Sequence, residues 1–473
     1  MDIKRKITTG ILLCCLAVCT ACTGAGVTPE EAEPTKMTSA GDTVVTPQQT
    51  PQEAPTAQPP EEITGTIVDA TMSTLFLKTE DGGEYTFAIQ DAQTELGENG
   101  LAIGSVIDVT YLNGEEGEIP VAQKLVLVKE APALDFFLYE DRAREILKDM
   151  TLEEKAGQMF FARCPQSDAA QLEEELQLGG YILFNRDFEG KTKTEVKEAL
   201  ESYQAAAKIP MLIGVDEEGG SVVRLSRYDA FRDESFLSPQ ALYEQGGMDL
   251  VRSDTQEKAE LLESLGINVN LAPVCDVSTD PDDFIYTRAF GGDAAQTSEY
   301  VKAVVSEMNE AGIGATLKHY PGYGSNSDTH TGVARDTRSY DTFTSSDFLP
   351  FVAGINAGAP SILVNHNIVE CLDDENPASL SARVHEILRD EQGFLGVIMT
   401  DDLYMDAIKE EYGVGQAAVM AVLAGNDLLV SSQPEEQLAA VVEAAKDGTL
   451  SEDMIDAAVT RILCWKLSMG LTE

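Results

Sequence analysis

Gly396-Val397-Ile398-Met399-Thr400-Asp401-Asp402-Leu403 is an apolar run that ends on two carboxylates. Consecutive apolar residues, with β-branched side chains among them, read as a short strand buried on both faces, the pattern of a parallel sheet. The charge at its C-terminal end marks where such a strand surfaces. Seven more segments repeat the design: Gln158 to Arg163, Gly179 to Phe184, Pro210 to Asp216, Asn268 to Val274, Ala315 to Tyr320, Ser361 to His366 and Asp427 to Ser432. Amphipathic helical stretches separate them, for example Asp141 to Gly157, Thr194 to Ala207, Ala295 to Ala311 and Gln416 to Ala424. Glu435 to Lys446 and Asp453 to Leu467 follow the last strand. Eight strand–helix units within residues 139–473 predict an α/β fold, a (β/α)8 barrel of the TIM type.

Such a barrel carries its chemistry at the C-terminal ends of its strands. Asp216 ends the third strand, Asp276 follows the fourth, Lys318 and His319 end the fifth, His366 ends the sixth and Asp401 the seventh. The loop after the fifth strand adds Asp328-Thr329-His330, with one of only four histidines in 473 residues. An aspartate two residues from a histidine can accept its Nδ1–H and raise its basicity, which makes the imidazole a proton carrier near neutrality. Asp401 and Asp402 are successive, so only one of them should face the barrel mouth. Convergence of Lys318 and Arg288 on Asp401 would keep it ionised.

Upstream of the barrel the pattern changes. Residues 62–130 show five alternating apolar runs, Ile63 to Val68, Thr74 to Lys78, Tyr85 to Ile89, Val106 to Tyr111 and Gln123 to Val128. Asp81-Gly82-Gly83 is the hairpin signal between the second and third. Five short strands in so few residues predict a small antiparallel β-barrel of the oligonucleotide/oligosaccharide-binding type. No row of exposed aromatics accompanies it, so a spacer or docking role is expected. Residues 23–61 are rich in Thr, Pro, Glu and Gln and read as a solvated tether.

Residues 1–22 begin with Lys4-Arg5-Lys6 and continue with an apolar stretch from Ile7 to Val18, the pattern of an export signal. Ala21-Cys22-Thr23-Gly24 is similar to a bacterial lipoprotein processing site, with Cys22 as the lipidated residue and Cys19 as the alternative. The expectation is an exported protein, either lipid-anchored to the outer face of the plasma membrane or released after plain cleavage. Cys164, Cys275, Cys371 and Cys464 are scattered without metal-ligand spacing and are expected to be buried thiols. A net charge of −48 argues against nucleic acid and anionic lipid surfaces as partners.

Six ordered motifs carry a resemblance. They are Val215-Asp216-Glu217-Glu218-Gly219-Gly220, Asn270-Leu271-Ala272-Pro273-Val274-Cys275-Asp276-Val277, Arg288-Ala289-Phe290-Gly291, Lys318-His319-Tyr320-Pro321-Gly322, Asp328-Thr329-His330 and Thr400-Asp401-Asp402-Leu403. Over about Tyr139 to Met469 the chain resembles glycoside hydrolase family 3, in particular its β-N-acetylglucosaminidase branch, where an Asp–His pair replaces a carboxylic acid. The resemblance implies Asp401 as nucleophile, His330 with Asp328 as acid/base, and Asp216, Arg288, Lys318 and His319 as the grip on the terminal sugar. His366 would line the same pocket, and His385 is read as a surface histidine. Family members commonly have His where Tyr323 stands and Asp where Ser325 stands. Many also carry a second α/β domain after the barrel, and none is expected here.

The implied activity is an exo-acting, retaining β-N-acetylglucosaminidase that needs no cofactor. Its substrates would be GlcNAc-containing peptidoglycan fragments (muropeptides) or chitooligosaccharides, and it is expected to be a monomer. Two alternatives stand beside it: a β-N-acetylglucosaminide phosphorylase, and a non-catalytic lipoprotein that binds cell-wall glycan.

Overall fold

The computed structural model of the protein describes residues 60–472, apart from 71–73, 80–81, 91, 97–100, 102–104, 114–118, 130–137 and 326–333. Cys22, Asp328 and His330 lie outside the described residues, as do the export signal and nearly all of the tether.

The first folded region contains β1 (Glu61–Ala70), β2 (Thr74–Lys78), β3 (Glu84–Ala88), β4 (Gln93–Glu95), β5 (Val106–Leu112) and β6 (Val121–Lys129). β1 pairs antiparallel with β2 and β5, β2 pairs antiparallel with β3, and β5 with β6. A parallel pairing of Ala88 with Val121 joins β3 to β6 and curls the sheet into a small barrel. The expected barrel is present, with two differences. β4 is an additional short strand, and its pairing with β6 is parallel like that of β3, so the barrel is not purely antiparallel. Gly82 has φ +85 in the hairpin turn, where its N–H reaches the Thr79 carbonyl. That left-handed backbone suits glycine. Alternate residues Leu75, Leu77, Phe87, Ile107, Val109 and Leu125 are fully buried and form the barrel's apolar centre.

The second region is the expected eight-stranded parallel barrel. Its strands are β7 (Phe160–Arg163), β8 (Gly180–Leu183), β9 (Leu212–Val215), β10 (Val269–Asn270), β11 (Gly314–Tyr320), β13 (Ser361–Val364), β15 (Val397–Thr400) and β16 (Leu429–Ser431). They pair in chain order, β16 returns to β7, and a bridge between Met399 and Leu428 joins β15 to β16. A two-residue pair, β12 (Arg335–Asp336) with β14 (Ile368–Val369), lies outside the main sheet. Every strand falls inside the segment predicted for it or within one residue of it. β10 is the most truncated, because Pro273 has no N–H to donate to the ladder. Contact with β11 nevertheless continues as Lys318 N–H to Pro273 O at 3.2 Å and Cys275 N–H to Lys318 O at 2.6 Å.

Side chains, not solvent, fill the barrel. Phe160, Phe161, Leu212, Ile213, Val269, Ile398 and Leu429 are fully buried. Large and small residues interdigitate: a Cβ on Gly214 would lie 2.4 Å from the Phe161 ring. The C-terminal helix Glu452–Ser468 presents Trp465, also fully buried, to Gly314 at the start of β11. Replacing Trp465 by Ala would cost about 3–5 kcal/mol. The predicted helix Asp141 to Gly157 is two helices, Glu140–Lys148 and Leu152–Gln158. Thr151 starts the second through a capping box with Glu154. Among the described cysteines Cys164, Cys275 and Cys464 are buried as expected, but Cys371 is exposed, and none is in a disulfide.

Candidate active site

A cavity of about 430 Å³ opens at the C-terminal ends of the strands, lined by Asp216, Arg288, Lys318, His319 and Asp401 among others. One wall, from the third to the fifth strand, is a continuous polar network. Lys318 Nζ lies 2.7 Å from Asp216 Oδ1 and 2.6 Å from Glu218 Oε1. Arg288 grips Glu218 with two bonds, Nε to Oε2 at 3.0 Å and Nη2 to Oε1 at 2.7 Å. Arg224 Nη2 holds the other oxygen of Asp216 at 3.1 Å. A bidentate guanidinium–carboxylate pair fixes direction as well as distance.

The same wall continues through His319. Its Nδ1 is 2.7 Å from Asp276 Oδ2, and its Nε2 is 3.0 Å from Arg288 Nη2. Arginine only donates, so Nε2 is the acceptor and the proton sits on Nδ1, facing Asp276. His319 is therefore a neutral ring that orients Arg288, with no Nε2 proton to give. Asp276 also accepts the backbone N–H of His319 at 3.1 Å and of Tyr323 at 2.7 Å. Lys318 and His319 are consecutive yet both reach the cavity. An irregularity in the β11–β13 register between Leu317 and Tyr320 accounts for the break in alternation.

Electrostatics follow from this pairing. Burial opposes the charge on Asp216, but Lys318 and Arg224 outweigh it and hold the carboxyl well below the usual carboxylate range. For Glu218 burial is likewise overcome by Lys318 and Arg288, which bring its pKa down to about 2. Arg288 is correspondingly held above its ordinary range despite burial, by Glu218.

Asp401 is different. Its Oδ1 accepts the N–H of Asp402 at 2.8 Å, and among the described residues no cation forms an ion pair with it. This corrects the expectation that Lys318 and Arg288 converge on Asp401: both are engaged by Asp216 and Glu218. Asp402 also borders the cavity, but its carboxylate is fully occupied. It accepts Tyr404 N–H at 2.9 Å, Ser432 N–H at 3.1 Å and the Ser432 hydroxyl. Both aspartates thus border the cavity, contrary to the expectation that one alone would face it, and of the two it is Asp401 that keeps a carboxylate oxygen available to a ligand.

Two histidines sit elsewhere than expected. His366 does not border the cavity; it is fully buried behind the wall, with Nδ1 2.7 Å from Ser379 Oγ and Nε2 3.1 Å from the Asp402 carbonyl. It supports the turn that carries Asp402. His385 is not on the surface: it is 3% exposed, and burial lowers its pKa. Sequence reasoning missed Glu218 and Arg224. Glu218 stands in the quoted Asp216 motif and Arg224 just after it, but nothing local shows that the partners of Glu218 lie on β11 and in the Arg288 loop, or that Arg224 turns back onto Asp216.

Tyr323, where family members commonly have His, is buried and meets Phe284 edge-on at 4.9 Å and the His319 ring at 5.1 Å. With Val274 and Ile285 it forms a small apolar cluster under the start of the loop that leads to residue 330.

Residues 151–464 match the model of the glycosyl hydrolase family 3 N-terminal domain. A beta-hexosaminidase of Xanthomonas campestris pv. campestris (strain B100) is 35% identical over 261 residues, covering 54% of this chain and 78% of that protein. The solved glycoside hydrolase family 3 beta-N-acetylglucosaminidase of Paenibacillus sp. str. FPU-7 superposes with a TM-score of 0.64 at 31% identity. That match covers 68% of this chain and 63% of the Paenibacillus chain. Beta-N-acetylhexosaminidase from Beutenbergia cavernae DSM 12333 gives 0.61 at 26% identity, covering 68% and 99%. The chain is a glycoside hydrolase and belongs to glycosyl hydrolase family 3.

Proposed function

We propose that the protein is an exo-acting, retaining β-N-acetylglucosaminidase that removes terminal GlcNAc by double displacement. The observation that carries this reading is Asp401: one uncommitted carboxylate facing a wall of paired carboxylates and cations. Asp216, Lys318 and Arg288 offer fixed acceptors and donors for the hydroxyl and acetamido groups of one sugar, and the His319 ring holds Arg288 in place. The names of the relatives support GlcNAc as that sugar.

In the first step Asp401 attacks the anomeric carbon, and the glycosidic C–O bond breaks as His330 gives its proton to the departing oxygen. In the second, water attacks the same carbon, His330 takes a proton from it, and the bond to Asp401 breaks with net retention. The resemblance implies Asp328 as the partner of His330 in this role. The neutral state of His319 supports this division of labour, because that second Asp–His pair is already committed to Arg288. The cycle calls on no metal or organic cofactor.

Replacing His330 by Ala tests the acid role. Hydrolysis of a natural disaccharide, with its poor leaving group, should fall on the order of 10²–10⁴-fold, while an aryl β-GlcNAc with a good leaving group loses far less. Equal losses on both would remove His330 from that role. A phosphorylase is distinguished by its product: GlcNAc and no GlcNAc-1-phosphate should form in phosphate buffer.

The proposal extends to location. Lys4-Arg5-Lys6, the apolar stretch to Val18 and Ala21-Cys22 support export and anchoring through a lipid on Cys22. Metabolic labelling with a fatty acid should mark the wild type, and loss of the label should follow Cys22→Ser. A label that survives in that variant would move the anchor to Cys19.

A further inference from the structure

One guanidinium outside the cavity holds both ends of a single loop. Arg338 follows β12, and its side chain grips Asp336, with Nε at 3.0 and 2.9 Å from the two carboxylate oxygens and Nη2 at 2.7 Å from Oδ2. Nη1 lies 2.7 Å from Asp347 Oδ1, and Nη2 also donates to the Gly322 carbonyl at 3.2 Å. The Phe343 ring covers the group, its centre 4.5 Å from the guanidinium carbon. Asp336 and Asp347 are buried, and charge-assisted bonds to buried carboxylates fix the direction of the guanidinium as well as its place. None of the three borders the cavity formed by the described residues.

Gly322 is where the chain leaves β11, and Asp336 is where it returns, in β12, to pair with β14. The stretch between them carries Asp328 and His330. Its departing end is packed against the clamp: a Cβ on Gly322 would lie 2.7 Å from Asp347 Oδ1, and one on Gly324 would collide with the Arg338 guanidinium. Both glycines have positive φ, +115 and +56, which excludes a side chain for a second reason. Tyr323, between them, is tied separately. Its N–H donates to Asp276 Oδ1 at 2.7 Å, and Asp276 is the carboxylate that holds His319. At the returning end Ile368 N–H donates to the Ala334 carbonyl and Glu370 N–H to that of Asp336, both at 2.9 Å. The loop is thereby registered on one side to the paired wall of the cavity and on the other to Arg338. A cluster that served the fold alone would need no bond to the Gly322 carbonyl.

We propose that Arg338, with Asp336 and Asp347, is the positioning clamp of this loop: by fixing its two ends to each other it sets the reach of the acid/base residue toward the leaving oxygen, without touching substrate. The inference rests on the functional reading above, which puts the proton donor on this loop. Proton transfer needs donor and acceptor within hydrogen-bond reach, and a misplacement of about 1 Å can cost on the order of 10²-fold in rate. Loosening the clamp therefore acts on proton transfer and leaves the grip on the sugar and the attack by Asp401 in place.

The experiment uses the full chain and two substrates, N,N′-diacetylchitobiose and an aryl β-GlcNAc with a good leaving group. Arg338→Lys keeps the charge but cannot span three partners. Its kcat/KM, which reports cleavage of the bond to the leaving group, should fall about 10- to 100-fold on the disaccharide and less than about threefold on the aryl substrate. Attack by water also needs the base, so kcat on the aryl substrate should fall as well. Azide should restore it, because azide attacks the anomeric carbon and displaces the Asp401 carboxylate with no proton to remove, leaving the β-glycosyl azide as product. Gly324→Ala, which deletes no ion pair, should show the same pattern more weakly, and it carries the test should Arg338→Lys fail to fold. His330→Ala, run beside them, should show it most strongly. Selective losses in His330→Ala that neither clamp variant shares, or losses in the clamp variants that are equal on both substrates and do not respond to azide, overturn the inference. Equal losses on both substrates in His330→Ala remove the functional reading instead, and the inference with it.

Discussion

The two walls of the cavity are built on opposite principles. From the third to the fifth strand, Asp216, Glu218, Lys318, Arg288, His319 and Asp276 satisfy one another in a buried chain of ion pairs and hydrogen bonds. Around the seventh, eighth and first strands, Asp401 keeps a free oxygen and Arg163 has no ion-pair partner among the described residues. A paired charge is held in place and changes little when ligand arrives. An unpaired charge in the same cavity is available to react. In the proposed mechanism the first wall positions the sugar and the second supplies the nucleophile.

The largest effect that can break this comparison is on activity. Asp401→Ala should lower kcat on aryl β-GlcNAc on the order of 10⁴-fold or more and shift unfolding free energy by less than about 1 kcal/mol, since no ion pair is lost. Denaturant unfolding of the same preparation checks both halves. The mirror image is Glu218→Ala, which leaves Arg288 and part of Lys318 buried without a counter-charge. It should destabilise the barrel by about 3–5 kcal/mol and raise KM. A Glu218→Ala variant as stable as the wild type would mean that the paired wall is not what holds the two cations.

A smaller, pH-dependent effect sharpens the same contrast. Glu218 has its pKa lowered from 4.5 to about 2, so its charge stabilises the folded state above 4.5, and that contribution disappears as pH falls through 2. Acid titration of stability should therefore show a loss between about pH 4.5 and 2 that Glu218→Gln removes.

The barrel was readable because its strands are apolar on both faces and end on charge. Segments such as Val397 to Thr400 have no other plausible environment. Asp401 and Asp402 lie one and two residues past β15 and both border the cavity, so alternation does not separate them; the hydrogen bonds that occupy the Asp402 carboxylate do. What failed was inference about residues just beyond the strands. His366 lies two residues past β13, where the pleat no longer dictates direction, and it turned inward against Ser379 and the Asp402 carbonyl. His385 sits among Arg383 and Glu386, which are exposed and suggested a surface face. It is buried because that short helix turns the histidine toward Gly425. Glu218 was missed since its partners are 70 and 100 residues away, and only the closed barrel brings them together.

The most direct measurement is to trap the glycosyl-enzyme. The full chain should be incubated with a fluorinated GlcNAc donor whose second step is slow, then digested and analysed by mass spectrometry. The account predicts a covalent sugar on the peptide that contains Asp401, absent from Asp401→Ala. A sugar attached to any other side chain, or steady turnover of substrate by Asp401→Ala, would contradict it.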